Sequence, residues 1–193
     1  MAQELEMKIL TDVGEFSRCL ARMKQITASD GDGYVQVNYY FDTPQFSLAS
    51  AHAMLRVRRK KNSLFLQYKN KRKRLGDMLL CQEEEALLSA LPVTVNPARY
   101  FPKAPDVDCR LLGSLVTYRQ DFLCCGTVVS LDENIYFGKT DYEIEIEGDA
   151  DGIRQVADLL CPVGESKRGN GKFSRFLKAY QEYYNESLKG ESL

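Results

Sequence analysis

Polar and apolar residues alternate with a period of two through most of the chain. Because successive side chains of a β-strand point to opposite faces, this alternation predicts strands that each bury one face. Turn-forming residues lie between several of these segments, among them Asp30–Gly33 and Cys125–Gly126. The predicted strands are Glu4–Ile9, Tyr34–Phe41, Met54–Arg59, Leu64–Lys71, Met78–Ala86, Ser114–Cys124, Thr127–Asp132 and Asp141–Glu147.

Three other segments have helical spacing. Thr11 and Asp12 can cap a helix that places Val13, Phe16 and Leu20 on one face. A second helix is predicted after Asp149, and a third carries an apolar stripe from residue 173 to residue 184. Many antiparallel strands with a few covering helices predict an α+β fold. We expect one domain over residues 1–193, with a frayed polar tail.

Composition narrows the classes of protein. The 193 residues hold 26 Lys and Arg against 27 Asp and Glu, a formal net charge of −1, which lacks the basic excess of a general nucleic-acid binder. The N-terminal segment has acids where a signal peptide needs bases, and no apolar run approaches the roughly 20 residues of a membrane span. Six cysteines without a CxxC pair indicate reduced thiols. We expect a cytoplasmic protein, monomeric or homodimeric.

Charges on the polar strand faces are segregated by sign. Glu4 and Glu6 share a face of the first strand with Lys8, and four acids from Asp141 to Glu147 share a face of the last. Bases dominate the middle strands: Arg56, Arg58, Lys69 and Lys71. Like charges on one face repel unless a cation is near, and carboxylates suit Mg²⁺ or Mn²⁺ while Arg and Lys suit phosphate. The pattern predicts adjacent metal and phosphate sites, and a merely solvated sheet face stays open as the alternative.

Several motifs together resemble the CYTH domain of the triphosphate tunnel metalloenzymes. Glu4-x-Glu6-x-Lys8 is similar to the ExExK signature of that family. Further similar segments follow in the family's order: Gln36–Pro44, Met54–Arg58, Leu66–Lys71, Arg119–Asp121, Val129–Asp132, Phe137–Gly138, Tyr142–Glu147 and Gly171–Phe176. The resemblance covers residues 3–180 and implies a closed eight-stranded antiparallel β-barrel, called a tunnel, with flanking helices.

The resemblance also implies site residues and chemistry. Metal would be Mg²⁺ or Mn²⁺, held by members of the set Glu4, Glu6, Asp132, Glu143, Glu145 and Glu147. Substrate would be bound by Lys8, Arg56, Arg58, Lys69, Lys71, Glu83, Glu85, Arg119 and Lys172. Catalysis would rest on Glu4, Glu6, Lys8 and Lys69. Which two of Glu143, Glu145 and Glu147 bind metal stays open, although spacing from Gly138 favours the last two.

Three functions follow as hypotheses. The first is a metal-dependent triphosphatase that hydrolyses the terminal phosphate of inorganic or organic triphosphate. An adenylate cyclase of the same fold and a noncatalytic polyphosphate-binding module are the alternatives. Cys81 stands where many family members have Arg, which removes one phosphate contact and leaves the substrate open. The basic stretch Lys69–Arg74 is expected to turn into solvent at the barrel rim from Lys71 onward rather than to bind nucleic acid.

Overall fold

The structure is a computed structural model that describes residues 2–160 and 171–190, except for the side chains of residues 2–3, 71–72, 74, 81 and 185–190. Its strands are β1 Ala2–Thr11, β2 Asp32–Asp42, β3 Met54–Lys60, β4 Ser63–Leu75, β5 Met78–Leu88, β6 Thr94–Val95, β7 Cys109–Cys124, β8 Thr127–Tyr136 and β9 Lys139–Glu147. The eight long strands contain the eight predicted segments. The short β6 was not predicted, because two residues carry no periodic signal.

One antiparallel sheet contains all of these strands. Their order is β2-β3-β4-β5-β1-β9-β8-β7-β6, and β2 also pairs with β7. The β2–β7 register runs from Asp32 opposite Asp121 to Asp42 opposite Arg110. The sheet is therefore strongly curled, and the prediction of a strand-rich antiparallel α+β fold is confirmed.

Four α-helices accompany the sheet in the described ranges: α1 Val13–Thr27, α2 Ser47–Ser50, α3 Ala150–Leu160 and α4 Lys172–Gly190. The predicted cap of α1 is confirmed, since the Asp12 carboxylate accepts a hydrogen bond from the backbone N–H of Glu15 at 2.8 Å. The unpredicted α2 is held by Asp42, whose carboxylate accepts from the N–H groups of Leu48 and Ala49. None of these helices is long and apolar enough to cross a membrane.

Apolar side chains pack on the convex side of the sheet and around α4. Ile144 and Ile146 of β9 contact the apolar faces of α1 and α3. Leu55 and Leu66 pack beneath the segment that follows β6. A third cluster joins α4 to β2, β3, β7 and β8. Because strand side chains alternate, burying the apolar face outward turns the polar residues of each strand toward the concave side.

Candidate active site

The concave side of the sheet encloses a cavity of about 720 Å³. Gly171, Lys172 and Phe173, at the start of α4, line it together with side chains from all eight long strands. The predicted site residues among its lining are Glu4, Glu6, Lys8, Arg56, Arg58, Lys69, Glu83, Glu85, Arg119, Glu145, Glu147 and Lys172. Asp132 and Glu143 lie beneath it, and the side chain of Lys71 is outside the described set.

Strand register brings charges of each sign together. On the acidic side, Glu6 of β1 lies opposite Glu147 of β9, and Lys8 lies opposite Glu145. The Cα of Glu4 faces that of Cys81, whose side chain is outside the described set. Neighbouring strands thus face their carboxylates into the same part of the cavity, as the alternation predicted.

A hydrogen-bonded network occupies the wall formed by β3, β4 and β5. Arg56 Nε donates to Gln67 Oε1 at 2.6 Å, and Gln67 Nε2 donates to Glu85 at 2.6 Å. Lys69 Nζ contacts Glu83 and lies 3.2 Å from a Glu4 carboxylate oxygen. Burial opposes ionisation of Glu83, but Arg56 and Lys69 outweigh burial and lower the pKa of this carboxyl.

Arg58 differs from the other cationic side chains of the cavity. Its Nε donates to Asn38 Oδ1 at 3.1 Å, and its guanidinium forms no ion pair with any carboxylate of the described residues. Burial, followed by the nearby charges of Arg56 and Arg119, lowers the pKa of Arg58 to about 10. The wall between β2 and β3 therefore holds a positive charge that lacks an anion.

Glu147 is the acidic counterpart of Arg58. It is half-buried and forms no salt bridge with a cationic side chain of the described residues, whereas Glu6 lies 2.8 Å from Lys8 Nζ. Burial, and then repulsion from Glu145 and Glu6, raises the pKa of Glu147. The acidic side of the cavity thus holds a negative charge that lacks a cation.

Asp132, Glu143 and Glu145 form a buried acidic cluster whose ligand atoms lie within 4.8 Å of one another. Lys172 Nζ lies 2.8 Å from Asp132, 2.5 Å from Glu143 and 2.9 Å from Glu145. Arg119 adds a bidentate contact to Asp132 at 2.7 and 2.6 Å. The ammonium of Lys172 therefore contacts all three members of a cluster whose carboxylates could otherwise hold a metal ion.

Tyr34 lies at the cavity wall and is held in its protonated form. Its hydroxyl donates to Asp121 Oδ2 at 2.8 Å, and Ser130 donates to Asp121 Oδ1 at 2.7 Å. Burial, and then this hydrogen bond, raises the pKa of Tyr34 above its ordinary value. Tyr34 is therefore suited to donate a hydrogen bond and not to accept a proton from water.

Sequence reasoning missed three amide side chains of the site. Gln36, Asn38 and Gln67 are all buried on the concave side, and Gln67 links Arg56 to Glu85. The alternation along β2, with Val35 and Val37 on the opposite face, places Gln36 and Asn38 inward. A search for charged residues alone passes over them, because neutral amides give no charge signal.

The model of the CYTH domain matches residues 2–160 of the sequence. The chain belongs to the CYTH domain family. The matched range contains all eight long strands of this CYTH protein, and it ends before α4 and Lys172.

Similar proteins come from bacteria and a plant. A protein of Bacillus subtilis (strain 168), "Putative triphosphatase YjbK", is 32% identical over 188 residues, which are 93% of this chain and 95% of that protein. The structure of a "putative adenylate cyclase" from Bacillus halodurans has a TM-score of 0.70 at 24% identity, covering 91% of this chain and 99% of that one. The structure of "putative adenylyl cyclase HpAC1" from Hippeastrum is said to reveal a dominant triphosphatase activity. It has a TM-score of 0.67 at 22% identity, covering 91% of this chain and 95% of that one. The two structures support the fold.

Proposed function

We propose that this CYTH protein is a metal-dependent triphosphatase that hydrolyses the terminal phosphate of inorganic or organic triphosphate. One observation carries the proposal. A single cavity holds both Arg58, a cation without a carboxylate, and Glu147, a carboxylate without a cation, among the described residues. A complex of triphosphate with a divalent metal supplies the two missing charges together. The name of the Bacillus subtilis relative supports the same activity.

The proposal includes a closed eight-stranded tunnel as the frame of the site. The pairing of β2 with both β3 and β7 supports closure, because each long strand then has two neighbours. A closed sheet holds inward side chains at fixed spacing, since no strand edge is free to move. Fixed spacing matters for phosphoryl transfer, in which protein residues act chiefly by positioning and by charge stabilisation.

Glu147 favours the acidic side of the cavity over the buried cluster as the site of a divalent metal ion, while Glu4 and Glu6 beside it also contact Lys69 and Lys8. Asp132 and Glu143 are already paired with Lys172, whereas Glu147 has no cation and faces Glu6 across the β1–β9 pair. Carboxylate oxygens are the ligands that Mg²⁺ and Mn²⁺ prefer. Glu4, Glu6 and Glu147 would hold the ion, which would offset phosphate charge and favour attack by water.

The chain's own cations would bind and orient the triphosphate. Arg58 is free to contact phosphate oxygens, and Arg56 and Lys69 can exchange contacts with Glu83 for contacts with substrate. On the other wall, Lys8 is held between Glu6 and Glu145, where it can stabilise charge on a transferring phosphoryl group. Beneath the cavity, burial opposes ionisation of Asp132 and Glu145, but Lys172 is the largest charge that counters burial, and the pKa of each of these two carboxyls is lowered.

Phosphate release tests the proposal. Inorganic triphosphate, ATP and thiamine triphosphate would each be incubated with Mg²⁺, Mn²⁺ or EDTA, using the unaltered protein and Glu6→Gln. We expect metal-dependent release that falls at least about 100-fold in Glu6→Gln, because Glu6 would help to hold the metal ion that offsets phosphate charge, and losing charge stabilisation of this kind costs about 100- to 1,000-fold. Glu133→Gln is the matched control, since Glu133 is on β8 outside the cavity lining, and it should keep full activity.

Other outcomes would replace the proposal. Cyclic AMP and pyrophosphate from ATP would identify an adenylate cyclase. Tight binding of triphosphate without phosphate release in either metal would identify a noncatalytic binding module. Equal release in EDTA and in Mg²⁺ would contradict a role for metal.

A further inference from the structure

Two amide side chains of β2 have buried nitrogens without hydrogen-bond acceptors. Gln36 is 2% exposed and Asn38 is 0% exposed, and neither Gln36 Nε2 nor Asn38 Nδ2 has a partner. A buried donor without an acceptor destabilises a folded protein by the cost of its lost hydration. Here two such donors lie two residues apart on the same face of β2, and a bound ligand would explain why they are kept.

Strand register places this amide pair beside the unpaired guanidinium. Asn38 lies directly opposite Arg58 in the β2–β3 pair, and Gln36 lies opposite Lys60. Asn38 Oδ1 accepts the Nε hydrogen of Arg58 at 3.1 Å, which fixes its amide orientation and leaves the nitrogen as a donor. Asn38 thereby holds Arg58 in place and leaves its charge intact. A carboxylate at the same position would neutralise that charge.

Gln36 has more freedom than Asn38. It lines the cavity, and neither end of its amide has a hydrogen-bond partner among the described residues. Thr117, which lies opposite Gln36 on β7, donates its hydroxyl hydrogen to Asn134 Oδ1 at 2.8 Å and not to Gln36. A half-turn of the amide therefore presents Nε2 to the cavity without breaking any contact.

We propose that Gln36 donates a hydrogen bond to a phosphate oxygen of bound triphosphate and that Asn38 is a positioning residue that orients Arg58 toward the same phosphoryl group. The inference rests on the proposed function for its substrate. Gln36 Nε2 and the Arg58 guanidinium are both donors at the cavity, so a ligand that they share must be rich in acceptors and carry negative charge. A phosphoryl oxygen meets both requirements.

Gln36→Met tests the role of Gln36, because methionine matches its length and removes the amide. Without ligand, the melting temperature should stay equal or rise, since a buried donor without a partner is lost. The dissociation constant for inorganic triphosphate should rise about 10-fold, as expected for one hydrogen bond to a charged group. Calorimetry in EDTA measures this binding without turnover. A purely structural amide would instead lower the melting temperature and leave affinity unchanged.

Asn38→Asp tests the positioning role with almost no change in shape. The new carboxylate would pair with Arg58, so the melting temperature should rise while triphosphate binds at least about 10-fold more weakly. Asn38→Ser, which is too short to reach Arg58 and adds no charge, should weaken binding less. Equal affinity in Asn38→Asp and the unaltered protein would overturn the positioning role.

The control is Gln155→Met, on the exposed face of α3, which should change neither the melting temperature nor the affinity for triphosphate. Triphosphate binding that is unchanged in Gln36→Met would overturn the inference, even if the protein hydrolyses triphosphate. Weaker binding in Gln36→Met by a protein that releases no phosphate would support the inference and contradict only the proposed function. No binding of triphosphate by the unaltered protein, either in EDTA or with Mg²⁺ present, would overturn both the inference and the proposed function.

Discussion

Arg58 shows how a single residue can be kept in a state prepared for a ligand. Its charge is destabilised by burial and by two neighbouring guanidiniums, and the hydrogen bond from its Nε to Asn38 does not neutralise it. Because the folded-state pKa lies below the unfolded value, the destabilisation is fully present below about pH 10 and declines as pH rises toward the unfolded value. An anion that pairs with Arg58 would remove this cost.

Arg58→Met should therefore separate stability from binding. We expect an equal or higher melting temperature without ligand, because an unpaired charge is lost, and triphosphate affinity lower by about 10- to 100-fold. Differential scanning fluorimetry and calorimetry measure the two properties. The control is Arg59→Met, at the next position of β3, where the side chain is exposed; it should change neither the melting temperature nor the triphosphate affinity. A strongly destabilised Arg58→Met protein would show that this guanidinium is a structural group.

Residue spacing predicted which side chains face the cavity but not how those side chains pair with one another. Alternation was sufficient to face Glu6, Lys8 and Arg58 inward, because strand side chains alternate regardless of context. It could not distinguish Glu143, which is buried under Lys172, from Glu147, which has no cationic partner among the described residues. That difference depends on how α4 packs on the sheet, a contact between segments distant in sequence.

At the level of elements, α4 fixes the charge balance beneath the cavity. Lys172, its first residue, contacts Asp132, Glu143 and Glu145, and Arg175 one turn later pairs with Glu143 at 2.7 Å. Burial opposes ionisation of Glu145, but Lys172, Lys8 and Arg119 hold its pKa well below the usual range. The helix thus joins its apolar stripe to a buried ionic network.

Lys172→Met should destabilise the fold by about 3–5 kcal/mol near neutral pH, because removing one partner of a buried ion pair leaves charges uncompensated. The pH dependence should also change. In the unaltered protein the lowered pKa of Glu145 contributes stability that is lost as pH falls through that pKa. Without Lys172, burial should raise the pKa of the carboxyls that it contacted, so the folded variant takes up protons as pH falls. The difference in stability between the variant and the unaltered protein should therefore narrow at low pH.

Urea denaturation at pH 5 and pH 8 would measure how much free energy of unfolding the Lys172→Met variant has lost. Lys178→Met, on the exposed side of the same helix, is the control and should cost less than about 1 kcal/mol, as its 3.9 Å contact with Glu182 is at the surface. An equal loss of stability at both pH values would contradict the electrostatic explanation and favour simple loss of packing.

The longer elements were predictable and the shorter ones were not. Eight strands and three helices show enough periods to be recognised in the sequence. The four-residue α2 depends on Asp42 accepting hydrogen bonds from Leu48 and Ala49, and β6 depends on pairing with the start of β7. Both require contacts made only after the chain has folded, so local pattern could not reveal them.

For the molecule as a whole, closure of the sheet predicts a pattern of hydrogen exchange. If β2 pairs along both sides, the amides of residues 36–41, which have partners on both β3 and β7, should all exchange slowly, and protection should not alternate along this part of the strand. Exchange measured residue by residue by NMR would test this, with the two-residue β6 as an internal reference for weak protection. Fast exchange at every second residue of β2 would show an open edge there and contradict a closed tunnel.

The balance of charge inside the cavity affects how quickly a ligand can find it. Among the described residues that line the cavity, eight carboxylates face seven cationic side chains, so the opposing fields largely cancel at a distance. The chain's formal net charge of −1 adds little more. Long-range steering, which raises association rates and fades with added salt, needs a field of one sign. Triphosphate should therefore arrive by ordinary diffusion, and selection begins only once its oxygens are within contact distance of the walls.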